Sequence, residues 1–215
     1  MIFLDFEGFP KKKPSLVGYQ IDGEFKQIIL DHDFIQISKE TDIEFKEYEE
    51  FCDWIISKSD ELKQPIVAWS EIELKILKEF KDDINYCDLL KKTKGIIKRG
   101  HALFDAHQDM DAYWRGQRRT RTGRINLANK PWLKERWDLI TILKLLDYPR
   151  LSNSYGKGKV TARLKTIKNG LNARGSYKQL TARQKGKWTS LKKHNEVDVD
   201  GMVYIVDKLD ISLLK

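Results

Sequence analysis

Cysteine is scarce in this chain. Cys52 and Cys87 stand alone, without the short spacing of metal-ligand pairs, which argues against a disulfide framework and against a cysteine-built structural zinc site. Long hydrophobic runs are missing too. No apolar stretch approaches the ~20 residues of a membrane-spanning helix, so no membrane partner is expected. The opening Met1-Ile2-Phe3-Leu4-Asp5 lacks a basic stretch followed by an apolar one, so no secretory leader is expected and the cytoplasm is the expected compartment. Internal repeats are absent. The segment Tyr155-Gly156-Lys157-Gly158-Lys159 lacks the spacing of a P-loop and no strand precedes it, which argues against a nucleoside triphosphatase.

What is present points to one sizeable folded domain, because the chain has 215 residues, of which 40% are hydrophobic and 33% charged. The net charge is +8. The excess is uneven: acids abound through about residue 90, whereas residues 91–193 are dominated by Lys and Arg. A basic half of this kind favours a polyanionic partner, DNA or RNA.

Three short β-prone runs open the sequence, at residues 2–6, 16–21 and 25–30, and Asp22-Gly23 between the last two is a hairpin signal. Residues 45–62 carry Phe45, Tyr48, Phe51, Cys52, Ile55 and Ile56 on one helical face. Residues 65–69 read as a buried strand, 71–80 as a helix, and 84–87 as a last strand leading into a helix near Asp88. The order βββαβαβα over residues 1–98 predicts an α/β fold. Its mixed five-stranded sheet should be antiparallel at one side and parallel at the other, with helices on its faces. Residues 99–130 have weak periodicity and read as a basic insertion or arm. Within 131–215, residues 131–146 read as a long helix opened by Pro131, 151–160 as a loop, and two or three helices follow, the last over 191–209. This helical part completes the core.

Two carboxylates, Asp5 and Glu7, lie two positions apart in the first apolar run. In a strand they share a face, separated by roughly 6.6 Å, while Ile2, Leu4 and Phe6 take the other. A buried acidic pair raises its own pKa values unless a cation lies between its members, so the pair calls for a metal. A second cluster, His194-Asn195-Glu196-Val197-Asp198, places an imidazole and a carboxylate one helical turn apart, suited to a general base beside a metal ligand.

Together, Phe3-Leu4-Asp5-Phe6-Glu7, Val67-Ala68-Trp69-Ser70-Glu71-Ile72-Glu73 and His194-Asn195-Glu196-Val197-Asp198-Val199 resemble the three exonuclease motifs of the DEDD superfamily, whose members have a ribonuclease H-like fold. Within that group the chain looks most like predicted ribonuclease H-like domains with a Tyr-Asn-x-x-Asp-Val third motif. The resemblance implies a nuclease, a 3′–5′ exonuclease by expectation, that uses two Mg²⁺ or Mn²⁺ ions. A structure-selective endonuclease or a binding module that has lost catalysis are the alternatives. Asp5 and Glu7 match the first motif and Asp198 the acid of the third. His194 takes the place of the general base, four residues before that acid, where Tyr stands in some families. The second motif normally supplies Asp. Here Glu73 is the best match, with Glu71 as a competitor and Asp88 or Asp138 as possible supporting acids. The implied metal set is Asp5, Glu7, Glu73 and Asp198.

Other candidates carry less. The stretch His107-Gln108-Asp109-Met110-Asp111 mixes ligand types but reads as a solvated loop. The run 113–124 combines two aromatics with five arginines, and Trp114, Arg115, Arg118, Arg119, Arg121 and Arg124 are the expected nucleic-acid contacts. A second basic set, beginning at Arg163 and Lys165, extends the track toward the acids. Trp69 and Trp188 are candidates for a substrate groove.

Overall fold

The computed structural model describes residues 1–116, 119–120, 123–124, 137–151 and 160–211, with the backbone alone at 101, 110–116, 119–120 and 123–124. A meander opens the chain: β1 (Ile2–Gly8), β2 (Pro14–Ile21) and β3 (Glu24–Ile29). Asp22 and Gly23 both take positive φ, 50° and 84°, in the tight turn between β2 and β3. One helical turn, α1 (Ile35–Ser38), leads to β4 (Glu44–Phe45) and α2 (Tyr48–Leu62). β5 (Ile66–Ala68), α3 (Glu71–Leu77), β6 (Tyr86–Asp88) and α4 (Leu89–Arg99) follow. Then come α5 (His101–Gly116), the two-residue strands β7 (Arg119–Thr120) and β8 (Gly123–Arg124), α6 (Leu139–Leu145), α7 (Val160–Arg174) and α8 (Ala182–Lys208).

The fold is α/β with a six-stranded mixed sheet in the order β4-β3-β2-β1-β5-β6. β1, β2 and β3 pair antiparallel; β1-β5, β5-β6 and β3-β4 pair parallel. The sixth strand corrects the expected five: β4 is only two residues long, too short to show a period.

Alternation along β1 divides the core into layers. Ile2 and Leu4 pack beneath α2 with Val17, Phe51, Cys52 and Ile55. Phe3 faces the opposite layer, with Val67, Leu143, Val197, Val199 and Met202. The first part of α8 covers the β2-β3 side through Trp188 and Leu191 beside Leu16 and Ile29. At 27 residues, α8 is about 40 Å long and crosses the sheet face.

Several boundaries differ from the sequence expectation. α2 begins at Tyr48, because residues 44–45 are drawn into the sheet. Residues 101–116 are helical although their periodicity is weak. Of the helix expected over 131–146, α6 takes Leu139–Leu145, and Asp138 caps it by accepting from the Thr141 amide at 3.1 Å; residues 131–136 lie outside the described residues. α8 starts nine residues earlier than expected, Ala182 against Leu191, at a capping box in which Thr181 and Gln184 exchange side-chain and backbone hydrogen bonds. Trp188 is 1% exposed and stacked on Phe34, so it is a core residue and not part of a groove.

The capping box gives a direct test. Thr181→Ala should cost about 1 kcal/mol, lowering Tm by about 2–4 °C in a chain of this size. An unchanged Tm would mean that the first turn of α8 carries no stability.

Candidate active site

The site begins with strand register. Asp5 pairs with Gly18 and Gly18 with Gln27, so the three form one row across β1, β2 and β3. Asn195 of α8 lies fully buried on this row. Its side-chain amide donates to the Asp5 backbone carbonyl at 3.0 Å and to Asp5 Oδ2 at 2.7 Å. Its Oδ1 accepts from Gln27 Nε2 at 2.9 Å, and the same Gln27 nitrogen donates to the Lys192 carbonyl, also at 2.9 Å. A Cβ at Gly18 would fall 2.1 Å from Asn195 Oδ1. Glycine is therefore required there for helix and sheet to approach so closely.

Seating Asn195 on the row brings its neighbours to the end of β1. His194 Nε2 is 3.6 Å from Glu7 Oε1 and 3.5 Å from Asp198 Oδ2. Glu7, His194 and Asp198 each offer a ligand atom within 4.8 Å of the others, and among the described residues no other His, Cys, Asp or Glu triplet does so. Asp5 is close enough for Glu7, Asp198 and Glu73 to raise its pKa. Residues from both ends of the chain thus meet at the C-terminal end of β1, beside the C-terminal ends of the parallel strands β5 and β6. Ligands gather at such strand ends in open α/β sheets.

Glu73 approaches from α3. The Ser70 hydroxyl accepts from the Ile72 amide and donates to Glu73 Oε2 at 3.2 Å. Glu73 is 8% exposed, whereas its competitor Glu71 is exposed. Neither belongs to the tight triplet. Asp88 and Asp138 serve as helix caps, Asp88 accepting from the Lys91 amide at 2.9 Å. Asp88 nonetheless adds to the negative field at Glu73.

The electrostatics follow from burying acids together. Burial first, and then Glu7, Asp198 and Glu73, push the Asp5 carboxyl well above its ordinary range, and the Asn195 hydrogen bond offsets only part of this. Burial and Asp198 push Glu7 up to about 8 against the opposing pull of Arg163; burial brings Asp198 up to about 7. His194 moves down to about 4 through burial and the Arg163 guanidinium. Two acids within ion-pair distance would normally raise a histidine. Here they hold their protons near neutrality and offer it little negative charge, so burial prevails.

The remaining candidates lie elsewhere. His107 is helical and fully buried, its ring stacked on Trp137 at 3.8 Å, which corrects the solvated-loop reading. Of the expected nucleic-acid contacts, Trp114 and Arg115 fall on α5, Arg119 and Arg124 on the β7-β8 hairpin. Arg118 and Arg121 lie outside the described residues. A cavity of about 860 Å³ is lined in part by Glu71, Tyr86, Asp88, Lys91, Lys92 and Arg99 and by none of Asp5, Glu7, Glu73, His194 and Asp198. Gly18 and the role of Asn195 were missed by sequence reasoning. An isolated glycine inside a strand pattern was the available signal, since it marks close backbone approach.

No protein-family model, curated protein or solved structure matches this chain. A functional reading therefore rests on the residues themselves. Among the described residues no helix is long and apolar enough to cross a membrane.

Two measurements check the geometry. Gly18→Ala should destabilise by about 1–3 kcal/mol through overpacking, and most of that cost should vanish in an Asn195→Ala background, where the clashing oxygen is gone. Additive costs would place Asn195 away from Gly18. The second measurement is a pH scan of Tm in EDTA. Glu7 and Asp198 bind protons more tightly folded than unfolded, so their contribution is fullest below their ordinary values, 4.5 and 3.8, and is lost as pH rises through about 7 and about 8. His194 acts oppositely: its contribution is full above 6.5 and lost as pH falls through about 4. From pH 6.5 to pH 8 the loss from the acids outweighs the last of the gain from His194, so Tm should fall and Glu7→Gln should flatten the fall. A Tm that rises over this interval would contradict burial of the acids together.

Proposed function

We propose that this protein is a divalent-metal-dependent nuclease of ribonuclease H-like fold, a member of the DEDD exonucleases by resemblance, acting on phosphodiester bonds of DNA or RNA. The observation that carries the reading is the meeting of Glu7 with His194 and Asp198 within 4.8 Å, beside Asp5. Acids at positions 5 and 7 and a His-Asn-x-x-Asp helix at the far end of the chain are what the resemblance requires to converge. An antiparallel set β3-β2-β1 continued by parallel β5 and β6, with helices on both faces, supports the fold half of the proposal.

The donor set fits hard cations. Carboxylate oxygens from Asp5, Glu7 and Asp198, with Glu73 nearby, suit Mg²⁺ or Mn²⁺ better than a softer metal. The acids' raised pKa values are the signature of a cluster short of positive charge. Two such ions, when bound, supply Lewis-acid activation of water and stabilisation of the leaving 3′ oxygen. The chain supplies the rest. Asp5 and Glu7 are fixed by strand register, and Asp198 is fixed by the docking of α8. His194, neutral at physiological pH and 12% exposed at its side chain, can accept a proton from the attacking water. The basic arm around β7 and β8 would hold the polyanion through phosphate contacts, with Trp114 for stacking on unpaired bases.

One observation favours a second reading. Glu73 is engaged at its own helix N-terminus with Ser70 and stands outside the tight triplet, as a nucleic-acid-binding module with an impaired site would have it.

Labelled single- and double-stranded DNA and RNA, incubated with Mg²⁺ and with Mn²⁺, separate these readings. Cleavage that Asp5→Ala slows by about 100-fold or more, the equivalent of losing about 2.7 kcal/mol or more of transition-state stabilisation, is the expected result. Mononucleotide products indicate exonuclease action and longer fragments endonuclease action. Tight binding without cleavage in either metal selects the second reading, and parental rates in Asp5→Ala would remove the site from the chemistry. Binding should weaken with salt by roughly 0.7 log units per log unit of salt for each phosphate contacted on a single strand. A flat salt profile would remove the basic arm from the interface.

A further inference from the structure

Helix α7 buries one face at Arg163, Leu164, Ile167, Gly170 and Leu171. The spacing is that of an amphipathic stripe facing the core, and it places a cation where the pattern calls for an apolar residue. Arginine stems commonly lie along apolar surface while the head group reaches water. Arg163 is different: the whole residue is 9% exposed. Its one hydrogen bond among the described residues runs from Nη1 to the Ser190 carbonyl at 3.5 Å, the outer limit for such a bond, and no carboxylate among the described residues pairs with it. A buried guanidinium without a charge partner is costly. The nearby acids Glu7 and Asp198 each have one oxygen within 3.6 Å of His194 Nε2, and neither comes within ion-pair distance of Arg163. The Ser190 carbonyl that it reaches lies one turn before His194 on α8, which sets the guanidinium beside the acid cluster, and its charge draws down both Glu7 and His194. A fork of five N–H donors therefore lies beside the acid cluster with one long hydrogen bond drawn from it.

We propose that Arg163 binds the phosphate of the substrate at this site, its guanidinium fork taking two non-bridging oxygens. Planar, paired N–H donors match a phosphate in a way that a lysine ammonium does not. The position deepens the nuclease reading and rests on it for the identity of the anion, a phosphodiester. Arg163 orients that phosphate toward His194 and spreads the charge that develops on its oxygens. The competing account makes Arg163 only a counter-charge for Glu7.

The full-length protein is titrated with Mn²⁺ alone, and then with inorganic phosphate in the presence and absence of saturating Mn²⁺, by calorimetry and by ³¹P line width. Arg163→Met keeps the apolar stem and removes the fork. The expected result is phosphate binding weakened about tenfold or more, the equivalent of a hydrogen bond to a charged group, while Mn²⁺ affinity is held or tightened because a cation has left the neighbourhood of Glu7. Parental phosphate affinity in this variant overturns the proposal and leaves Arg163 as a counter-charge. So does a parent that binds no phosphate under either condition. Should Arg163→Met fail to fold, Arg163→Lys decides: it keeps the charge and loses the fork, so weaker phosphate binding supports the position and unchanged binding overturns it. The nuclease reading fails separately. A parent that neither binds Mn²⁺ nor cleaves nucleic acid, yet binds phosphate through Arg163, retains the anion site and loses the nuclease. Cleavage with parental kcat and KM in Arg163→Met does the reverse.

Discussion

The structure depends on one buried amide. Asn195 spans a row of three strands, holding Asp5 on β1 and Gln27 on β3 across the gap left by Gly18 on β2. A hydrophobic interface alone would let α8 slide along its axis, because apolar contact is non-directional. Hydrogen bonds to fixed backbone and side-chain partners remove that freedom, and a fully buried amide left unpaired would cost about 1–3 kcal/mol. The helix therefore has one axial setting at low energy. His194, immediately before Asn195, and Asp198, one turn after His194, inherit their positions from that setting. Both sides of the contact use polar groups in a layer otherwise made of Phe3, Val197 and Val199.

Seating α8 in this way forces several acids out of water together. Like charges about 4 Å apart repel by about 4 kcal/mol even at an effective dielectric of 20, so the cluster cannot ionise fully without compensation. His194 does not supply it, because burial and Arg163 keep the ring neutral. Arg163 contributes one positive charge, visible in its pull on Glu7. The remainder comes from protons, held by Glu7 and Asp198 up to near-neutral pH, or from cations that displace those protons. An acid arrangement that costs stability and is still anchored by a dedicated hydrogen-bond network belongs to a site better than to a scaffold.

Much of this was legible because it is local. Period-two alternation places Asp5 and Glu7 on one face, and a spacing of four places His194 over Asp198, whatever the rest of the chain does. The meander, its Asp22-Gly23 turn and the α/β character follow from equally short-range patterns. What was not legible depends on meetings between distant residues. Asn195 reads as one polar residue in an acidic stretch until Gly18 and Gln27 are beneath it. Arg163 reads as one basic residue among many until the opposite faces of α7 are distinguished by burial. β4 and the start of α8 were missed differently. Two residues cannot display a period, and the Thr181-Gln184 cap precedes the first buried residue of α8, Trp188, by about two turns.

The two halves of the site also come from distant parts of the chain. Asn195 and Asp5 are 190 positions apart, so their contact incurs a large loop-closure entropy that only the finished core offsets. The strands β1, β2, β3 and β5 and helix α2 bury their own layer without α8. α8 packs against β1 where Asp5 and Glu7 lie, and so supplies part of the desolvation that raises their pKa values. One interface thus buries the apolar seam, holds the Asn195 network and keeps water from the acids. The site's electrostatic strain is thus concentrated where α8 meets the sheet. Its cost is met by the packing of Trp188, Leu191, Val197, Val199 and Met202 along the same helix.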